Sequence, residues 1–87
     1  MNQFCIDVME FLKSEYSDAY EYNMEVTHNL FGEPTAELSI RIGKGYTIKV
    51  GSTSMTYLYK LYRAGTFIKE RGQWEWQKEL VDIIEGS

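Results

Sequence analysis

Three runs of period-two alternation, joined by short turns, constrain this chain more than any other feature. Tyr20, Tyr22, Met24, Val26, His28 and Leu30 alternate with Glu21, Asn23, Glu25, Thr27 and Asn29. Successive side chains of an extended strand point to opposite faces, so this pattern predicts a half-buried strand. Phe31-Gly32-Glu33-Pro34 reads as a turn. Ala36, Leu38, Ile40 and Ile42 then alternate with Glu37, Ser39 and Arg41. After Gly43-Lys44-Gly45, Tyr46, Ile48 and Val50 alternate with Thr47 and Lys49. Links this short join antiparallel neighbours, because a parallel crossover takes a dozen or more residues. The expected sheet is a three-stranded antiparallel meander with one apolar face that needs a cover.

Helices supply the cover. At 100° per residue, Phe4, Cys5, Val8, Met9, Leu12 and Tyr16 fall on one face of a helix over residues 3–16, with Asn2 as its candidate N-cap. Glu15 falls inside the apolar stripe, so the helix frays there. Ser52, Thr53 and Ser54 offer caps for a second helix, in which Met55, Leu58, Tyr59 and Tyr62 share a face and Gly65 is the candidate C-cap. Thr66 to Gly72 reads as irregular or as a short helical turn. A last helix runs from Gln73 to about Glu85, with Trp76, Leu80, Ile83 and Ile84 on one side. The order is α-β-β-β-α-α, an α+β fold with the helices packed on one face of the meander. Eighty-seven residues cannot bury two cores, so residues 1–87 are expected to form a single domain.

Several function classes are disfavoured. No apolar run approaches the roughly 20 residues that cross a bilayer. Asp7 and Glu10 interrupt the first apolar stretch, unlike a signal or transit peptide. A single cysteine implies a free thiol and a cytoplasmic setting. Cys5 and His28, the only residues of their types, would pair as nucleophile and base if they met, but both fall on predicted apolar faces and read as core. Four zinc ligands are not available, so neither a metal nor a cofactor is expected. Gly43-Lys44-Gly45 joins two strands, whereas a phosphate cradle leads into a helix N-terminus. The carboxylates lie on predicted solvent faces and mark no cleft that would separate their pKa values for acid–base work. The expectation is a non-enzymatic protein.

Charge points to a partner. Residues 1–40 hold eight acids against Lys13, or −7, whereas residues 41–87 hold five acids and eight bases, or +3. Carboxylates on successive helical turns or alternate strand positions lie about 5 to 7 Å apart, a spacing close to that of successive phosphates along a nucleic-acid strand. Asp7, Glu10, Glu21, Glu25, Glu33 and Glu37 would therefore imitate a short stretch of backbone and dock in the positive groove of a nucleic-acid enzyme. Tyr57 and Trp74 fall off the core stripes and suit apolar anchors in a protein interface.

The pieces Phe4–Tyr16, Tyr20–Val50 and Ser54–Glu85 resemble, in order and length, the small phage-encoded anti-CRISPR proteins that inhibit type II effector nucleases. The likeness spans the chain as arrangement, without a shared motif. It implies an inhibitor that imitates DNA at the site reading the short flanking motif. This chain departs from that pattern in its net basic second half, so no residue roles are carried over. The expected partner is a nucleic-acid-binding protein such as a CRISPR effector nuclease, with no direct contact to nucleic acid or membrane.

Two alternatives remain. The α-β-β-β-α order is shared by double-stranded-RNA-binding domains, and Lys60, Arg63, Lys69, Arg71 and Lys78 would serve an RNA- or DNA-binding regulator. The second helix has no lysine cluster at its start, and the acidic first helix repels phosphate. Alternatively, the apolar flanks Tyr57 with Leu61 and Trp74 with Val81 would bury against copies of the chain, giving a homodimer or other homo-oligomeric accessory protein.

Overall fold

The computed structural model describes residues 2–17, 20–28, 30–32 and 34–86. Helix α1 (Asn2–Glu15) precedes strands β1 (Glu21–His28), β2 (Pro34–Ile42) and β3 (Tyr46–Val50). Helix α2 (Ser52–Ala64) follows, then two short strands, β4 (Phe67–Ile68) and β5 (Gln73–Trp74), and helix α3 (Glu75–Glu85). The three long strands form an antiparallel sheet in the order β1-β2-β3, which is the meander that the alternation predicts.

Register follows side-chain chemistry. Tyr22 stands opposite Ile40, Met24 opposite Leu38, and Ile40 opposite Ile48. Their shared face carries the helices. Phe4, Val8 and Leu12 of α1, Leu38, Ile40 and Val50 of the sheet, Met55 and Leu58 of α2, and Trp76, Leu80 and Ile84 of α3 form one buried cluster. Fully burying one such side chain contributes about 1.5–3 kcal/mol. The opposite face carries Glu21, Glu25, Glu37, Arg41, Thr47 and Lys49, all exposed.

Two of the four glycines with positive φ show how the chain changes direction. Gly43 (φ +66°) opens the β2–β3 turn. Gly65 (φ +66°) ends α2, its N–H donating to the Leu61 carbonyl at 3.2 Å. Both adopt a left-handed conformation that costs a residue bearing Cβ.

Four local expectations are corrected. Thr66 to Gly72 is neither irregular nor helical throughout: Phe67 pairs with Trp74 and Ile68 with Gln73 in a small hairpin. Helix α3 therefore starts at Glu75 rather than at Gln73. Gly51, not one of the serines or Thr53, occupies the N-cap of α2. His28 is exposed rather than part of the core, and Val26 on the same face is 41% exposed although its partner Ala36 on β2 is buried, since β1 is an edge strand of the sheet.

Candidate functional site

The sheet's outer face places the expected acids at unequal risk of neutralisation. Glu21 stands opposite Arg41, and its carboxylate lies 3.8 Å from the guanidinium. Glu25 stands directly opposite Glu37, both exposed. Like charges at such positions destabilise a sheet, since their Cβ atoms lie only about 4.5–5.5 Å apart. The Ser52 hydroxyl donates to Glu37 Oε1 at 3.5 Å, a long contact that brings no positive charge. Thr27 and Thr35 continue the face with hydroxyls 2.7 Å apart. Lys49 pairs with Ser39, one position along from Glu37 on that face, so the acidic centre has a basic flank. Glu33 lies outside the described residues.

Asp7 and Glu10 stand elsewhere. They belong to the helical layer and line a cleft of about 570 Å³ between α1, the end of α2 and the start of α3. Phe11, Tyr62, Trp74 and Trp76 supply its aromatic lining. The Tyr62 hydroxyl donates to Asp7 Oδ2 at 2.7 Å, and Gln3 Nε2 donates to Asp7 Oδ1 at 2.8 Å. The hydrogen bond to Asp7 raises the Tyr62 hydroxyl above its ordinary pKa, with partial burial adding to the effect. The rings brace one another. Trp76 meets Phe11 and Tyr62 edge-on, each with centroids 5.7 Å apart, and Tyr62 packs against Phe4 at 5.1 Å.

Trp74 is held from two sides. Its ring meets that of Phe67 edge-on at 5.0 Å, across the small hairpin. Its backbone N–H donates to Gln77 Oε1 at 2.9 Å, satisfying a donor at the start of α3. Trp74 is 41% exposed and Trp76 only 5%, so one indole is presented while the other supports the wall behind it.

The expected site residues thus divide. Glu21, Glu25 and Glu37 share the outer sheet face; Asp7, Glu10 and Trp74 share the cleft; Tyr57 is exposed on α2, outside both groups. Leu61, expected beside Tyr57 on a free flank, instead packs against the core. Phe11, Tyr62 and Trp76 were not anticipated as site residues. Leu30 and Phe31, also unforeseen, are exposed at the far end of the β1–β2 hairpin.

Cys5 is half-buried on α1 and His28 exposed at the end of β1. Among the described residues no group of three His, Cys, Asp or Glu side chains is placed to hold a metal ion, and no helix is long and apolar enough to cross a membrane. No protein-family model, curated protein or solved structure matches this chain, so the functional reading rests on its own geometry.

Proposed function

We propose that this chain is a non-enzymatic inhibitor of a nucleic-acid-processing protein, of the anti-CRISPR kind, and that its outer sheet face stands in for a short stretch of nucleic-acid backbone. The observation that supports this most is the Glu25–Glu37 pair. Two carboxylates face each other across neighbouring strands where an opposite-charge pair would stabilise the fold. Such a pair suits a positive groove, where the partner's cations offset the repulsion. Successive phosphates of a nucleic-acid strand likewise present neighbouring negative charges to such a groove.

The test uses the intact protein, immobilised, with a nucleic-acid-depleted bacterial lysate passed over it at low salt. A nucleic-acid-binding protein is expected to be retained, to elute as salt rises, and to be displaced by added duplex DNA. The double variant Glu25→Lys/Glu37→Lys keeps a like-charge pair of reversed sign. It should therefore fold as well as the parent and retain nothing. Retention that neither DNA nor the double variant alters would overturn the reading.

A further inference from the structure

The cleft that Asp7 and Glu10 line carries a second inference, independent of the sheet-face reading because the two sites share no residue. Its lining combines carboxylates with aromatic rings and contains no lysine or arginine. That combination favours a cation over a neutral or anionic ligand: ring faces attract positive charge, and carboxylates accept its hydrogen bonds. Asp7 is oriented by Tyr62 and Gln3, each taking one lone pair of a different oxygen and leaving others available. Glu10 is exposed at the cleft, and among the described residues neither acid has an ion-pair partner.

The form of the lining selects the cation. Trp74 presents an indole that packs edge-on against Phe67, on a backbone that the Gln77 cap fixes, so part of the ordering cost of contact is already met. A guanidinium is planar, stacks on such a ring and bonds carboxylates through a fork of N–H groups, whereas an ammonium is a compact, strongly hydrated point charge. We propose that this cleft is a docking pocket for an arginine side chain of a partner protein, received on the Trp74 indole and hydrogen-bonded by Asp7 and Glu10. The occupant is a protein side chain rather than free arginine, because the α-carboxylate that the free amino acid brings with its α-ammonium finds no cation in the lining.

The probe is the blocked peptide acetyl-Gly-Arg-Gly-amide, titrated into the intact protein while the two indole N–H resonances are followed. Saturable shifts of the Trp74 resonance are expected, with a dissociation constant on the order of 1 mM for one side chain. The citrulline peptide, which keeps the shape without the charge, should bind at least about tenfold more weakly, the loss of one charge-assisted contact. Glu10→Gln, an exposed substitution that leaves the core untouched, should weaken the arginine peptide and raise the salt tolerance of what remains. Free arginine should bind more weakly than the blocked peptide. Absence of saturation, equal binding of citrulline or lysine peptides, tighter binding of free arginine, or an unchanged Glu10→Gln variant would each overturn the proposal.

Discussion

The Tyr62 hydroxyl and the Asp7 carboxylate, fifty-five positions apart in the chain, meet at 2.7 Å and tie the last turn of α2 to the middle of α1. A hydrogen bond to a charged acceptor contributes more than a neutral one, though partial exposure reduces the gain. Tyr62→Phe keeps the ring contacts with Phe4 and Trp76 and removes only the donor. It should lower stability. Denaturant unfolding is the measurement, with a shifted midpoint and an unchanged slope. A double-mutant cycle with Asp7→Ala, which removes the acceptor, should return most of that loss as coupling between the two positions.

Glu25 and Glu37 make the opposite prediction. Because they stand directly opposite each other, Glu25→Gln removes repulsion and should stabilise the domain by about 0.2–1 kcal/mol. The gain should shrink as salt rises, since the screening length falls from about 10 Å at 0.1 M to about 3 Å at 1 M, below the separation of the pair. A thermal melt at low and high ionic strength reads both effects. The same substitution is expected to weaken retention of the partner, so stability and binding move in opposite directions. A loss of stability would show that Glu25 makes a favourable contact that the register does not account for.

The strands were legible because alternation states directly which side chains share a face. It does not state how far the cover extends. Val26 and His28 keep the core-facing parity of β1, yet both are exposed on this edge strand, while Ala36 opposite Val26 is buried. The β4–β5 hairpin escaped for another reason: two-residue strands are too short to show a period, and their signal is the single cross-strand pair Phe67 and Trp74. The cleft was half legible. Asp7 and Glu10 stand out by charge, but their meeting with Tyr62 and Trp76 depends on how three helices pack, which spacing within one helix cannot express.

Gly65 offers a test confined to the backbone. It ends α2 at φ +66°, and a Cβ added there would meet no neighbouring atom within 4 Å. Any loss in Gly65→Ala therefore reports the cost of a left-handed conformation rather than a clash. That cost is about 1–2 kcal/mol. Unfolding of the alanine variant by heat or denaturant should show it, with the Trp74 and Trp76 signals of the folded state preserved. A neutral result would mean that the end of α2 rearranges at little cost.

Tyr16 carries the last prediction. Its hydroxyl is buried with no hydrogen-bond partner among the described residues, beside the C-terminal end of α1. Leaving such a group unsatisfied costs about 1–3 kcal/mol. Tyr16→Phe removes the oxygen without opening a sizeable cavity and should stabilise the domain by about 1 kcal/mol. Burial, reinforced by the nearby Glu85 and Glu15 carboxylates, pushes the Tyr16 pKa from 10.0 up to about 12. The sign of the pH dependence follows. The folded chain holds this proton more tightly than the unfolded chain, so the stability linked to it is fully present below pH 10 and is lost as pH rises to about 12. Phenolate absorbance should show one fewer late-titrating tyrosine in Tyr16→Phe than in the parent, since Tyr62 is raised in both. Denaturation between those pH values should weaken the parent more steeply than the variant. Parallel pH profiles would show that the hydroxyl reaches water.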